Sequence, residues 1–354
     1  MPEPRVVVGR YRLLDVIGQG GMGRVWRAAD ELLDRRVAVK EMRIGGAADG
    51  LDPEDARVRR ERALREARAS ARIDHPGVVR VYDVAEEDGR LWIVMELVEA
   101  RSLARYVDEE GPLSEREAAR VGLALVAALR RVHAAGVLHR DIKPENVLLG
   151  PAGRVVLTDF GIAALQGAGR LTQTGLLVGS PEYMAPERVS GEPQGPPSDL
   201  WSLGATLCTA LRGGSPFARE SALTTLVAVL HEEPELPPVS KGLRPLLGAL
   251  LAKEPARRPG LDETEAALRA VLAAPAPGPA SGPAPGPASG ESTGGDWRPR
   301  VLTALVLLVA AAVAAVMFFT ARGPGGGDDP PPGPGSRPPT VAGTSTTPPS
   351  GGSG

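Results

Sequence analysis

The sequence contains a single cysteine, Cys208, which excludes an intrachain disulfide and a zinc site built on cysteines. Aromatic residues are only 3% of the 354 residues, so a hydrophobic core must come mainly from Leu, Val and Ala. The formal net charge is -2, which leaves no strongly basic field of the kind that attracts nucleic acid. The first ten residues hold no apolar run, and we therefore expect no cleavable signal peptide.

Lysine is also scarce, because arginine supplies nearly all of the 41 basic side chains. A lysine that persists in so arginine-rich a chain is a candidate for a role that needs a compact ammonium, which a guanidinium does not replace. Lys40 ends the apolar run V-A-V-K, and Lys143 lies between Asp141 and Asn146. These two lysines are therefore the first candidates for a chemical role.

Glycine and proline are abundant instead, with 44 and 35 residues, about 22% of the chain against a usual share of about 12%. Residues 274–300 contain the octad PAPGPASG twice, a composition typical of an extended linker. Residues 322–354 are rich in Gly, Pro, Ser and Thr, and we expect a disordered tail there. The excess predicts one folded part, residues 10–273, followed by segments that build no core.

Between the linker and the tail lie 21 uncharged residues, 301–321. As a helix they span about 31 Å, which matches a hydrocarbon core of about 30 Å. A buried core helix is the alternative, but the low-complexity flanks offer no domain to bury it. Arg298 and Arg300 precede the segment and Arg322 follows it, which favours a cytoplasmic N-terminal side. We predict a single membrane span, with the folded part in the cytoplasm and a short tail outside.

The folded part begins with short runs in which apolar and polar residues alternate. These runs predict strands at residues 11–17, 24–29, 35–42, 80–85 and 91–96. A helix rich in Arg and Glu is predicted at 53–73, and its mixed charges favour a solvated face over a nucleic-acid site. The pattern then becomes helical, beginning with a capping box at Ser114 to Glu117. This order predicts an α+β fold with a small β-rich lobe and a larger helical lobe.

A glycine-rich segment, I-G-Q-G-G-M-G-R-V, runs from Ile17 to Val25 and fits G-x-G-x-x-G-x-V. Glycines let backbone N–H groups approach phosphate oxygens closely. Dinucleotide-binding folds share this pattern, but their loop opens a helix, whereas strand-like R-V-W-R-A-A follows here. A tight hairpin without a ligand is the other alternative.

Three further motifs bring carboxylates and an amide together with the lysines. The run H-R-D-I-K-P-E-N holds Asp141, Lys143 and Asn146 within six residues, and Asp159 follows in D-F-G. Carboxylate and amide oxygens suit Mg²⁺, which takes few protein ligands and completes its shell with phosphate and water. An A-P-E motif at 185–187 closes the series.

These motifs, in this order, are the signature set of protein kinases. Over residues 10–273 the chain resembles the eukaryotic-like, or Hanks-type, serine/threonine protein kinases, and specifically their bacterial membrane-anchored group. The resemblance implies the bilobal protein kinase fold, with a β-rich N-lobe and a helical C-lobe, followed by the single C-terminal transmembrane helix. It also implies ATP as co-substrate, Mg²⁺ or Mn²⁺ as cofactor, and Ser and Thr side chains of proteins as acceptors.

The resemblance implies an ATP site built from the glycine-rich segment and the residues around the adenine. Met95 would act as gatekeeper, and Glu96 and Val98 would contact adenine through backbone groups. The implied ATP-binding residues are Ile17, Gly18, Gln19, Gly20, Gly21, Met22, Gly23, Arg24, Val25, Ala38, Lys40, Met95, Glu96 and Val98.

The catalytic and metal-binding roles are implied in the same way. Asp141 would accept or orient the proton of the substrate hydroxyl, and Lys143 would steady the γ-phosphate. Asn146 and Asp159 would bind the metal ion.

The resemblance implies that Lys40 binds the α- and β-phosphates of ATP and pairs with a carboxylate. We expect that partner to be Glu66, because R-E-A-R-A-S-A-R-I-D-H-P resembles the family's helix C. Glu61, in the same predicted helix, is the alternative.

Control and scaffold residues complete the expectations. Thr172 and Thr174 lie between D-F-G and A-P-E, and we expect autophosphorylation there, with Arg140 available to pair with the phosphate. Two solvated loop threonines are the alternative. The implied scaffold residues are Glu187, Asp199 and Arg258.

The expected partners are protein substrates and the membrane, and nucleic acid is not expected. Ala310 and Ala314, like Ala311 and Ala315, form a small-xxx-small pair that would allow a homodimer through the membrane helix. A membrane-anchored pseudokinase scaffold is the alternative function, but it predicts the loss of a catalytic or metal-binding residue, and all are present. A small-molecule kinase is a further alternative. Such an enzyme would not need the A-P-E segment that this chain contains.

Overall fold

The computed structural model describes residues 5–20, 23–43, 53–159 and 180–274, all within the first of two units of the chain, Met1–Ala280. Gly21, Met22, Thr172 and Thr174 lie outside the described residues, as do the predicted span, the predicted tail and nearly all of the predicted linker. Within the described ranges, no helix is long and apolar enough to cross a membrane.

The N-terminal lobe is a six-stranded antiparallel sheet with the strand order β1-β2-β3-β4-β6-β5. Its strands are β1 (Val6–Val7), β2 (Tyr11–Gly20), β3 (Gly23–Asp30), β4 (Arg35–Arg43), β5 (Val81–Glu87) and β6 (Arg90–Glu96). Alternation along these strands buries one apolar set, which includes Tyr11, Val37 and Trp92. The five strands predicted from the alternation are therefore confirmed.

Helix α1 (Pro53–Ser70) packs against the sheet through a second apolar cluster. Its small residues Ala63 and Ala67 are buried against Met42, Leu91 and Ile93, which lets the helix approach the sheet closely. The helix ends three residues before the predicted end at residue 73, in a turn that follows Ser70.

The C-terminal lobe is helical. It contains α2 (Leu103–Glu110), α3 (Glu115–Ala134), α4 (Pro186–Val189), α5 (Pro196–Arg212), α6 (Ala222–His231), α7 (Leu243–Leu250) and α8 (Leu261–Ala273). The predicted capping box is confirmed, because Ser114 and Glu117 exchange hydrogen bonds at the start of α3. Helix α5 lies in the middle of the core, where Trp201 stacks on Phe217 with 5.2 Å between ring centroids.

A small three-stranded sheet, in the order β7-β8-β9, positions the site. It consists of β7 (Arg101–Ser102), β8 (Val147–Leu149) and β9 (Val155–Leu157). Because β8 and β9 are antiparallel, with Val147 opposite Leu157, the residue before β8 and the residues after β9 meet at one end. A β-rich lobe followed by a helical lobe is the fold that the sequence predicted.

Candidate active site

The described residues of the glycine-rich segment end β2 and begin β3, with Gly18 opposite Val25 and Gly20 opposite Gly23. At Gly23 the backbone has φ +139°, and a Cβ would come within 1.9 Å of the Glu41 carbonyl oxygen. Only glycine fits this close approach to β4. A strand follows the loop, as predicted, so the dinucleotide-binding alternative does not apply.

Several residues predicted to surround adenine belong to one apolar cluster. Ala38 on β4 lies opposite Met95 on β6, and both are buried. Val25 and Val98 pack against the same cluster, and so does Leu148 on β8. Sequence reasoning missed Leu148, and its only local signal is its position two residues after Asn146.

Lys40 and Asp159 form an ion pair, with 2.7 Å between Nζ and Oδ1. The Lys40 side chain is only 8% exposed, so its ammonium requires an anionic partner. Burial alone would raise the pKa of Asp159, but Lys40 outweighs it and the pKa is lowered, with a smaller contribution from Lys143. Lys40 thus has a carboxylate partner, but that partner is Asp159 and not the expected Glu66.

Glu66 does not make the expected contact with Lys40. Its Oε1 accepts a hydrogen bond from Arg140 Nη1 at 2.9 Å and a longer one from Arg62 Nε at 3.4 Å. No ion pair joins Lys40 and Glu66 in the described part of the chain, because Arg140 holds the glutamate and Asp159 satisfies the lysine. The alternative, Glu61, pairs with Arg57 at 2.6 Å and is half exposed, so it does not reach Lys40 either.

The catalytic loop places two predicted residues, Asn146 and Lys143, beside the Asp141 carboxylate. Asn146 Nδ2 donates to Asp141 Oδ2 and to the Asp141 carbonyl, both at 2.8 Å. Lys143 Nζ lies 3.1 Å from Asp141 Oδ2. Both side chains of this ion pair are largely buried, at 13% and 14% exposure, so the loop presents a fixed carboxylate and ammonium side by side.

His139 connects this loop to the segment that carries Asp159. Its side chain is buried, its Nε2 lies 2.9 Å from the Thr158 carbonyl oxygen, and its Nδ1 accepts the Asp141 N–H at 3.3 Å. These contacts define a neutral ring that donates from Nε2, and burial lowers the pKa of His139.

The two predicted metal ligands meet at the shared end of β8 and β9. The Thr158 N–H donates to the Asn146 carbonyl at 2.9 Å, which places the following residue, Asp159, beside Asn146. Asn146 directs its amide nitrogen to Asp141, so its side-chain carbonyl oxygen remains available as a metal ligand. The donor set therefore fits a hard divalent ion.

Asp199, a predicted scaffold residue, holds the backbone of the catalytic loop through hydrogen bonds. Asp199, on α5 and 1% exposed, accepts the N–H groups of His139 and Arg140 at 2.9 and 2.8 Å, and His133 Nε2 lies 2.8 Å from its Oδ2. Burial alone would raise the pKa of Asp199, but His133 and the two backbone donors lower it. His133 carries no sequence signal for this contact, because Asp199 lies 66 residues away.

Glu187 and Arg258 form a buried bidentate ion pair, with distances of 2.7 and 2.8 Å. Ser198 Oγ donates to the same carboxylate at 2.7 Å. Burial alone would raise the pKa of Glu187, but Arg258 and Ser198 outweigh it and the pKa is lowered. The pair fixes the start of α4 against α5.

Comparison with known proteins gives a consistent result. Residues 11–268 match the protein kinase domain family. The serine/threonine-protein kinase PknA of Mycobacterium tuberculosis (strain ATCC 25618 / H37Rv) is 42% identical over 266 residues, 72% of this chain and 60% of PknA. PrkC of Bacillus subtilis (strain 168), another serine/threonine-protein kinase, is 40% identical over 231 residues, 65% of this chain and 34% of PrkC.

The chain thus covers about 60% of the length of PknA and about a third of PrkC. The serine/threonine-protein kinase pkn3 of Myxococcus xanthus is 35% identical over 284 residues, 75% of this chain and 51% of pkn3. The chain belongs to the protein kinase family, in its bacterial Hanks-type serine/threonine class.

Proposed function

We propose that this protein is an ATP-dependent serine/threonine protein kinase that transfers the γ-phosphate of ATP to protein hydroxyl groups. The observation that carries the proposal is the joint placement of Lys40, Asp141, Lys143, Asn146 and Asp159 in one connected cluster. No one of these residues defines a reaction. Together they supply cations for phosphate charge, oxygen ligands for a metal and a carboxylate base, which are the parts that phosphoryl transfer needs.

Mg²⁺ is the metal that fits this site best, held by Asn146 Oδ1 and the Asp159 carboxylate. Two protein oxygens suit an ion that keeps several water and phosphate ligands, and Mn²⁺ accepts the same donors. When bound, the ion neutralises phosphate charge. Calorimetry tests the assignment: Asp159→Asn is expected to abolish Mg²⁺-dependent ATP binding, and Asp262→Asn, at an 88% exposed side chain, is expected to leave it intact. Equal Mg²⁺-dependent affinity in the two variants would remove the assignment.

In the transfer step, the substrate hydroxyl oxygen attacks the γ-phosphorus and Asp141 takes its proton. The bond from that phosphorus to the bridging oxygen breaks, and ADP leaves. Asn146 holds the Asp141 carboxylate in one orientation through its amide nitrogen. Lys143 lies beside the same carboxylate, where its ammonium stabilises the charge of the phosphate as it moves.

Activation begins with autophosphorylation at Thr172 and Thr174, which lie outside the described residues. A phosphothreonine carries nearly two negative charges and competes with Glu66 for the Arg140 guanidinium. Glu66 is then free to pair with Lys40. Mass spectrometry of active protein is expected to find phosphate on one or both threonines, and active protein unmodified at both would contradict this step.

The protein is anchored in the membrane by residues 301–321, with its kinase domain, residues 10–273, in the cytoplasm where ATP is present. The hydropathy of this segment supports the membrane span, and the arginines on its N-terminal side support the orientation. Protease treatment of intact cells is expected to remove only the tail, residues 322–354. Digestion of the kinase domain in intact cells would contradict the orientation. Crosslinking in membranes tests the homodimer.

A labelling experiment tests the function as a whole. The full-length protein is incubated with γ-labelled ATP, Mg²⁺ and a generic protein acceptor, followed by phosphoamino-acid analysis. Label on phosphoserine or phosphothreonine is expected. ATP binding without any transfer would favour the pseudokinase alternative, and transfer only to small molecules would favour the small-molecule kinase.

A further inference from the structure

The peptide between Arg140 and Asp141 leads directly into the residue that carries the catalytic carboxylate. Arg140 has φ +65°, a left-handed conformation that a non-glycine residue keeps only when its surroundings hold it there. The N–H of Arg140 is held by Asp199 at 2.8 Å, and the N–H of Asp141 is held by the His139 ring at 3.3 Å. The remaining polar group of this turn is the carbonyl oxygen of Arg140.

That carbonyl accepts a hydrogen bond from the Arg188 guanidinium. Arg188 lies on α4, directly after the A-P-E motif, so this hydrogen bond joins the end of the activation segment to the turn. In the described part of the chain, no carboxylate lies within ion-pair distance of Arg188. A partly buried cation whose partner is a carbonyl is costly, which argues against a role limited to stability.

Charged groups of the catalytic loop lie near the Arg188 guanidinium. Burial lowers the pKa of Arg188, the nearby Asp141 and Asp199 carboxylates oppose that effect, and the Arg140 charge adds to it. The guanidinium therefore lies among the groups that carry and hold the catalytic loop.

Helix α4 gives this arginine a rigid mounting. The preceding residue, Glu187, is locked by Arg258 and Ser198, and both side chains of the Glu187–Arg258 pair are at most 3% exposed. The backbone of Arg188 is held as well, because its N–H donates to the Ala185 carbonyl at 3.0 Å. A side chain that starts from so fixed a base can determine the position of the group it contacts.

We propose that Arg188 is a positioning residue for Asp141, acting through its hydrogen bond to the carbonyl oxygen of Arg140. Arg188 and Asp199 hold the turn from opposite sides, one at the carbonyl and the other at the amide. The inference rests on the proposed kinase function and adds to it a physical link between the end of the activation segment and the catalytic base.

The test compares Arg188→Met with Arg188→Lys, which retains a cationic donor, in the full-length protein. Arg257→Met is the matched control, because Arg257 is 73% exposed and pairs with Glu254 on the surface. The Arg188→Met variant is expected to lose at least about tenfold in kcat, with KM for ATP and for the acceptor within about twofold of wild type. Arg188→Lys is expected to recover most of the loss, and Arg257→Met to match wild type.

Hydrogen exchange supplies a readout that does not depend on activity. Arg188→Met is expected to speed exchange of the amides at 139–141 relative to Arg257→Met. Wild-type kcat or unchanged exchange at these amides in a folded Arg188→Met protein would overturn the proposal. If Arg188→Met does not fold, Arg188→Lys decides, and a folded Arg188→Lys protein that loses tenfold or more in kcat overturns it. An inactive wild type would refute the kinase function instead, while the exchange measurement would still test Arg188.

Discussion

Replacing Arg258 with methionine should destabilise the C-terminal lobe strongly. Arg258 makes two hydrogen bonds to Glu187, at 2.7 and 2.8 Å, and donates to the carbonyls of Pro197, Ala252 and Lys253 at 2.9 to 3.0 Å. Methionine fills the space of the arginine stem but leaves Glu187 as a buried carboxylate with only Ser198 as a side-chain donor. Removing one partner of a buried ion pair costs about 3–5 kcal/mol, so we expect a loss of that size at pH 7.

The loss should also depend on pH, and its direction follows from the pKa of Glu187. In the wild type this pKa lies below its ordinary value of 4.5, so the pair stabilises the fold above that pH and the contribution is lost as the pH falls. In the variant, burial acts without Arg258 and raises the pKa of Glu187, which then takes up a proton readily in the folded state. The gap in stability between wild type and variant should therefore narrow between pH 7 and pH 4.5.

Urea unfolding followed by tryptophan fluorescence measures this gap, because Trp201 lies 5.1 Å from the Arg258 guanidinium. The neighbouring Arg257→Met variant is the control, and we expect its midpoint to stay close to wild type. A loss below about 1 kcal/mol in Arg258→Met at pH 7 would refute the reasoning, since exposed ion pairs contribute that little. A gap that widens on acidification would refute the assigned role of Glu187.

Three other predictions follow from the site. Glu66→Gln is expected to lower kcat/KM at least about tenfold, because a neutral amide cannot form an ion pair with Lys40, whereas Glu61→Gln should stay within about twofold of wild type. Equal kcat/KM in the two variants would contradict the choice of Glu66 over Glu61. Gly23→Ala is expected to weaken ATP binding in calorimetry, because its Cβ would meet the β4 backbone. Gly214→Ala, where a Cβ meets nothing within 4 Å, is the control, and an equal loss in that variant would argue against this account. Burial raises the pKa of Cys208 to about 12, so the folded protein should resist thiol alkylation at pH 8 and react in urea; rapid reaction when folded would show that this thiol is not buried.

The sequence predicted the members of the site better than their contacts. The motif residues Lys40, Asp141 and Asn146 could be named because their spacing along the chain is itself the signal. The strands were predictable for a similar reason, since burial on one face of a sheet leaves an alternating pattern. The strand after the glycine-rich segment was predictable in the same way, because its residues alternate as well.

The pairing of Glu66 could not be predicted from the sequence. It depends on where α1 lies relative to β4 and the catalytic loop, and Arg140, 74 residues further along the chain, takes the carboxylate. The contacts of His133 and Arg188 also join segments that are distant in sequence, 66 and 48 residues apart. Such contacts leave no periodicity or spacing, because they are determined by the packing of helices around the loop.

The central claim is that Asp141 serves as the base for phosphate transfer to protein hydroxyls. Its most direct test is the initial rate of transfer from γ-labelled Mg-ATP to a protein acceptor by the wild-type full-length protein and by Asp141→Asn, with Asp262→Asn as the matched surface control. The account predicts label on Ser or Thr with wild type and the control, and a kcat about 100- to 10,000-fold lower with Asp141→Asn. Transfer by Asp141→Asn at a rate near wild type, or no transfer by the wild type, would contradict it.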